Sequence, residues 1–330
     1  MKKALCQMVL LAVVFVLVVG IGPGKSRAAE IELSYNDVWP MEFPGAKAQK
    51  EWVDKVESRS NGRVKIKFYP GGKLYGYTPS ERAVASGAVD ITQFGMMQMG
   101  FICEAVVLPS LFDSWSQAKQ FAEQGGTEIL RKGLEANKVI NLFAIPSASI
   151  TIISTKPIRT MEDFKGLKMR APSPRLIDFL GKLGASNVHV TTGEVYQALQ
   201  LGVIDGVAST TNTFLLRKWH EPAKYFLNTV LALQPHYAIM NLDKWNKLPK
   251  DIQKLFLDTG KEIEDELYTT VDKADGDIRR QLTGLLETNV LTPQEYKRWS
   301  EVGRLVWDDW AKQGPEFVEA LELAKKITGK

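Results

Sequence analysis

Histidine and cysteine are scarce in this chain, and their scarcity excludes several kinds of chemistry. The three histidines, His189, His220 and His236, lie far apart and have no ligand-spaced partners, so no zinc site is expected. Of the two cysteines, Cys6 falls inside an N-terminal apolar run, without the small-residue context that lipid attachment needs. Cys103, between "GFI" and "EAVVLP", reads as a buried structural thiol rather than a nucleophile. An internal disulfide is not expected, and a chain of this length can bury enough core to do without one. Also missing are a G-x-S-x-G elbow, a G-x-x-x-x-G-K-[ST] loop and a G-x-G-x-x-G fingerprint. An enzyme would have to assemble its site from scattered residues.

An excess of one charge is missing too, once the first segment is set aside. Lys2 and Lys3 precede "ALCQMVLLAVVFVLVVGIG", and "PGKSRAAE" follows with Ser26 and Ala28 in small-x-small spacing. This layout predicts a secretory signal, residues 1–28, cut after Ala28 rather than kept as an anchor. Its removal takes Lys2, Lys3, Lys25 and Arg27 and no acid, leaving 38 basic against 38 acidic residues. Such a balance does not favour a nucleic-acid face. No second run has the length and apolarity of a membrane span, so the expectation is an exported, soluble protein.

What is present is a repeated alternation of strand and helix. "IELSY" (31–35) alternates as a strand, and "GAKAQKEWVDKVESRSNG" follows as an amphipathic helix. "RVKIKFYPGG" (63–72) is a second strand and turn, and Thr78, Pro79 and Glu81 predict a capping box at the start of a second helix. "AVDITQF" then reads as a buried strand. The pattern returns with "LKMRA" as a strand, "PRLIDFLGKLG" as a helix, "NVHV" as a strand and "TTGEVYQALQLG" as a helix with Thr191 and Glu194 three apart. "VIDGVAS" completes it. Together these predict an α/β protein with a largely parallel sheet, built as two lobes. After "LPKD" a long stretch without proline predicts a helix of roughly 50 Å, with Gly260 and Gly276 as bends, long enough to lie across both lobes. Thr292, Pro293 and Glu295 predict the cap of a final helix.

Several of these segments, in this order and spacing, resemble one family. They are "RVKIKFYPGGKLYG", "GAVDI", "LPSLF" (108–112), "FKGLKMRAPSP…LGASNVHVTTGEVYQALQLGVIDGV" (164–207) and "WNKLPKDIQKLF" (245–256). Over essentially its whole mature length the chain resembles the periplasmic substrate-binding proteins of tripartite ATP-independent periplasmic (TRAP) transporters, the DctP-like family. The resemblance implies a two-lobed periplasmic-binding-protein fold, with a hinge and a long helix spanning both lobes. It also implies capture of an organic acid between the lobes and delivery to a TRAP-type membrane permease. No cofactor is implied. Lobe I is expected to hold 29–147 plus about 236–275, and lobe II 148–235 plus about 276–330.

By the same resemblance, Arg170 in "GLKMR" meets the ligand carboxylate. A guanidinium presents two parallel donors to a carboxylate, and a strand's C-terminal end faces the crevice where open α/β sheets bind ligands. Pro172 and Pro174 would stiffen the turn behind it. Trp39, after the first strand, is expected as an aromatic wall, and Gln93 and Phe94 as the matching contacts at the end of "DITQF". Ser209 occupies a place where the family often puts a polar contact, with Asn212 as its substitute. His236 lies near the chain's crossing between lobes, where a structural role competes with ligand contact. Sialic-acid-type members carry a second arginine about twenty residues before the first, and "SASITIIS" (147–154) has none. That departure argues against such a sugar acid. Trp39, Phe94, Tyr75 and Tyr77 would suit a monocarboxylate with an apolar or aromatic body. Two rivals compete: an exported lyase or isomerase drawing its acid–base group from Glu42, Asp90 or His236, and a ligand-sensing subunit docking on a signalling receptor.

Overall fold

Alternating apolar residues build the first half of the sheet where the pattern places them. In the computed structural model, which describes residues 30–95 and 102–330, Ile31–Asn36 forms β1 and Val64–Tyr69 forms β2, paired in parallel. Between them runs α1 (Pro44–Arg59), which buries Ala46, Trp52, Val53 and Val56 on one face. Next come α2 (Tyr77–Ser86) and β3 (Ile91–Phe94), the latter parallel to β1. The expected signal segment and its cleavage site lie outside the described residues. The cap of α2 differs from expectation. Gly76, not Thr78, is the N-cap, and no side chain caps it. The earlier start brings Tyr77 into the helix, with its ring edge-on to His236 at 6.5 Å.

The chain continues through α3 (Trp115–Phe121) and α4 (Thr127–Glu135) into the 16-residue β4 (Val139–Ser154). The second half follows: β5 (Lys168–Arg170), α5 (Pro174–Lys182), β6 (Ser186–Asn187), α6 (Val195–Gln200), β7 (Gly206–Thr210) and α7 (Thr211–Leu216). "NVHV" was expected as a strand, but β6 stops at Asn187. Beyond it the chain turns into a cleft, leaving Val190 O free to accept from Arg170. Glu194 accepts from the N–H and hydroxyl of Thr191, so the expected pair forms, although α6 begins only at Val195. Then come β8 (Tyr225–Asn241), α8 (Leu242–Lys247), α9 (Lys250–Leu285), β9 (Glu287–Asn289), α10 (Pro293–Ala311) and α11 (Pro315–Thr328). Thr292 caps α10 as expected, accepting from Glu295 N.

The strands form one sheet in the order β2-β1-β3-β8-β4-β7-β5-β6, with β9 added to β8. The expected parallel pairing holds within each half, β2-β1-β3 and β7-β5-β6. Two long antiparallel strands, β4 and β8, join the halves. At their crossing Pro146 faces Pro235, and register shifts lie between Asn141 and Phe143, Pro146 and Ala148, and Ile150 and Ile152. Proline donates no ladder hydrogen bond, and a bulge bends a strand, so the sheet is thinnest in hydrogen bonds where the halves meet.

Helix α9 runs unbroken for 36 residues, as its composition predicts. Near its start it packs on α1, where Trp52 Nε1 donates to Phe256 O at 3.2 Å. Near its end Arg279 donates to Asn228 of β8 at 2.6 Å. Gly260, expected as a bend, instead permits close approach: a Cβ there would sit 2.9 Å from Leu142 O of β4. The core divides into three apolar clusters, one on each half and a larger one gathering α2 through α5, α10 and α11. No helix among the described residues is long and apolar enough to cross a membrane.

Candidate functional site

A cleft of about 900 Å³ opens between the halves, beside the Pro146–Pro235 crossing. This is at the upper end of the usual range for small-molecule sites. Arg170 lies in it at the C-terminal end of β5, opposite Val207 of β7. The turn Ala171–Pro172–Ser173–Pro174 follows along the wall, and Ser173 Oγ accepts from Leu176 N, fixing the turn to α5.

Arg170 is only 8 % exposed. Its Nε donates to Val190 O and one terminal nitrogen donates to Thr192 Oγ1, each at 3.3 Å. Both acceptors are neutral, and among the described residues no acid pairs with it. Burial, and then the positive charge of Arg217, lower its pKa to about 10, so it remains a cation at neutral pH. A buried charge without a counter-ion costs several kcal/mol. Among the described residues, the cleft lining contains no aspartate or glutamate that could offset it.

The facing wall is aromatic. Asp37 Oδ1 accepts the Trp39 N–H at 2.9 Å, while Asp37 O and Trp39 O accept from Gly72 and Gly71. These bonds pin the loop after β1 to the turn after β2. The Trp39 ring lies nearly parallel to Phe43, with centroids 6.0 Å apart, and meets His236 edge-on at 4.4 Å. Gly45 makes room for it, since a Cβ there would come within 2.1 Å of the indole. Burial lowers the His236 pKa to about 3, so the imidazole is neutral.

Five of the seven expected ligand residues line the cleft: Arg170, Trp39, Ser209, Asn212 and His236. Gln93 and Phe94 do not. Strand β3 is held between β1 and β8, with Gln93 opposite Ala238 and Phe94 opposite Tyr237, and both side chains are buried in the interior. The strand reaches the wall one residue later at Gly95, against Tyr77 and His236. Tyr77 lines the cleft, whereas Tyr75 packs on the core. Of the expected acid–base groups, Glu42 and Asp90 lie outside the lining; Asp90 accepts from Ser34 and pairs with Lys244 at 3.1 Å. Sequence reasoning missed Thr192, Phe43, Trp219 and Arg217, all in the lining. Phe43 follows Trp39 at helical spacing, which could have flagged it; the other three carry no local signal.

This architecture recurs among solved structures. A Bordetella pertussis extracytoplasmic solute receptor binding pyroglutamic acid superposes with a TM-score of 0.80 at 21% identity, over 89% of this chain and 99% of that one. A TRAP periplasmic solute-binding protein from Desulfovibrio salexigens with bound orotic acid gives 0.79 at 22%, over 90% and 98%. In sequence, the C4-dicarboxylate-binding periplasmic protein DctP of Rhodobacter capsulatus is 26% identical over 90% of this chain and 92% of its own length. The 2,3-diketo-L-gulonate-binding periplasmic protein YiaO of Escherichia coli is 24% identical over 85% and 87%. The sequence model of the DctP family, described as bacterial extracellular solute-binding protein, family 7, matches residues 35–313. With its two-lobed α/β fold and interlobe cleft, this chain belongs to the DctP family of TRAP-type solute-binding proteins.

Proposed function

We propose that this protein is a periplasmic receptor that captures an organic acid in the interlobe cleft through Arg170 and delivers it to a TRAP-type membrane permease. The carrying observation is the buried Arg170 guanidinium, which among the described residues has no acid beside it and no carboxylate in the cleft lining. An incoming carboxylate supplies the missing charge and takes up donors that fit it two at a time. The relatives support this, since pyroglutamic acid, orotic acid and the β-D-glucuronate bound by a Roseobacter denitrificans relative all carry a carboxyl group.

Trp39, Phe43, Tyr77 and neutral His236 supply an apolar face for the body of the solute, while Ser209, Asn212 and Thr192 supply neutral polar contacts. The lobes divide as 29–147 plus about 236–275 and 148–235 plus about 276–330, with α11 reaching back onto α3 and α4. Closure bends the sheet at the Pro146–Pro235 crossing, and the solute drives it by fitting the closed state better. Residues 1–28 direct export and are removed by cleavage after Ala28. An acid–base role has little to draw on, because no carboxylate lines the cleft among the described residues and burial leaves His236 a weak base.

Mass spectrometry of small molecules carried through purification tests this reading. The expected result is an organic acid, recovered chemically unchanged after incubation and taken up by cells only when the permease is present. Turnover of that acid, or a solute without an acidic group, would contradict it.

A further inference from the structure

A guanidinium has two edges on which a carboxylate can dock with paired bonds: a side edge, Nε with Nη2, and an end edge, Nη1 with Nη2. In Arg170 the protein itself fills the side edge. Nε donates to Val190 O and Nη2 donates to Thr192 Oγ1, each at 3.3 Å. Among the described residues Nη1 has no acceptor, so the end edge is left open.

The two acceptors sit on a loop that is tied at several points. Val188 N donates to Met169 O at 2.9 Å, which fastens the loop to β5 one residue before Arg170. The Val190 side chain is buried among Val195 and Leu199, and this holds its carbonyl in place. Beyond it, the Thr191 hydroxyl and N–H donate to Glu194 at 2.7 and 3.2 Å. Thr192 is half-buried and lines the cleft, and its one hydrogen bond among the described residues is the one it accepts from Arg170. A carboxylate approaching the side edge would have to break both bonds and would meet the negative end of the Val190 carbonyl dipole. At the end edge it meets donors alone.

Resting on the carboxylate-receptor reading, we infer that Thr192 is a positioning residue: with Val190 O it closes the side edge of Arg170, so that the solute carboxylate docks end-on, across Nη1 and Nη2. The plane of the guanidinium is thereby set before the solute arrives, and less freedom is lost on binding. Thr192 acts mainly through Arg170. Its own O–H proton stays available to the solute as a lesser, neutral contact.

Side-chain NMR and calorimetry test this, with acetate, pyroglutamate, orotate and D-glucuronate as probes. Labelling arginine with nitrogen-15 follows the Arg170 guanidinium, whose signals are assigned by their loss in Arg170→Lys. When an acid saturates the site, the Nη protons are expected to shift and to rotate more slowly. The Nε–H signal should stay near its solute-free position, still bonded to Val190 O. A move of Nε–H as large as that of the Nη protons would mean side-on docking and would overturn the inference. In titrations, each variant is first checked for cooperative unfolding. Thr192→Val should bind the tightest of the four acids roughly ten-fold more weakly, and Thr192→Ser should recover most of that loss. In an Arg170→Ala background the same Thr192→Val change should cost less than about three-fold, since the guanidinium it orients is gone. Equal loss in both backgrounds, or no loss in either, would also overturn the inference. Failure of the underlying receptor reading looks different: the Arg170 signals would respond to none of the four acids, or Arg170→Ala would bind them as the wild type does.

Discussion

Glu264 of α9 accepts the backbone N–H of Ala144 at 2.9 Å, two residues before β4 reaches its crossing at Pro146. On the far side Asp275 of the same helix accepts the N–H of Ser149 at 3.1 Å and the Thr211 hydroxyl at 2.6 Å. The two carboxylates, eleven residues apart on one rod, satisfy backbone donors of a bulged strand on both sides of the place where the halves meet. Asp275→Ala would leave the Ser149 N–H and the Thr211 hydroxyl buried without an acceptor, at a cost of about 2–4 kcal/mol. Urea unfolding should show that loss, and Asp275→Asn, which keeps one acceptor oxygen, should recover part of it.

Burial pushes the carboxyls of Asp37 and Glu264 up to about 7 and that of Glu81 up to about 8. In each, the folded state favours the protonated form over a wider range than the unfolded chain does. The associated stability is complete below the unfolded values near 4 and is lost as pH rises through 7 to 8. His236, lowered to about 3 from an ordinary 6.5, works in the opposite sense, but only below 6.5. Between pH 6.5 and 8, therefore, stability should fall with rising pH, by roughly 1 kcal/mol for each of the three carboxyls. Chemical denaturation at both pH values measures this, and Glu264→Gln should flatten the slope. A rise across the window would contradict the assignment.

The indole of Trp39 occupies the space above Gly45, where a Cβ would come within 2.1 Å of it. Gly45→Ala must therefore displace the aromatic wall, an overpacking that costs roughly 1–3 kcal/mol. Affinity for solutes with an apolar body should drop in this variant, and Trp39→Ala should produce a similar drop without the overpacking. Titration of both with the co-purified solute checks this. Unchanged affinity in both would remove Trp39 from the ligand wall.

Local grammar in the sequence foretold much of this. Thr292 caps α10 because threonine, proline and glutamate stand in the required order, and Arg170 closes β5 because "LKMR" alternates before a pair of prolines. What failed depended on neighbours. Gln93 and Phe94 end a strand, as expected, but β1 and β8 enclose that strand from both sides. Thr78 looks like a cap, yet the helix starts one residue earlier, at Tyr77 behind Gly76, where the Tyr77 ring meets His236 edge-on. The long strands β4 and β8 have buried runs without a period-two pattern, so neither announced that it joins the halves. The helix α11, beyond the expected final helix, was missed. Arg217 was invisible because nothing local distinguishes a cation facing a cavity from one facing bulk water.

The central claim is that the buried, unpaired Arg170 guanidinium grips the solute's acidic group, and paired titrations test it most directly. The co-purified acid is added to the wild type, Arg170→Ala and Arg170→Lys, after cooperative unfolding of each has been established. Arg170→Ala is expected to lose affinity roughly a hundred-fold or more, and Arg170→Lys to fall in between, since it keeps the charge and loses the two-point fit. Wild-type affinity in Arg170→Ala would contradict the account.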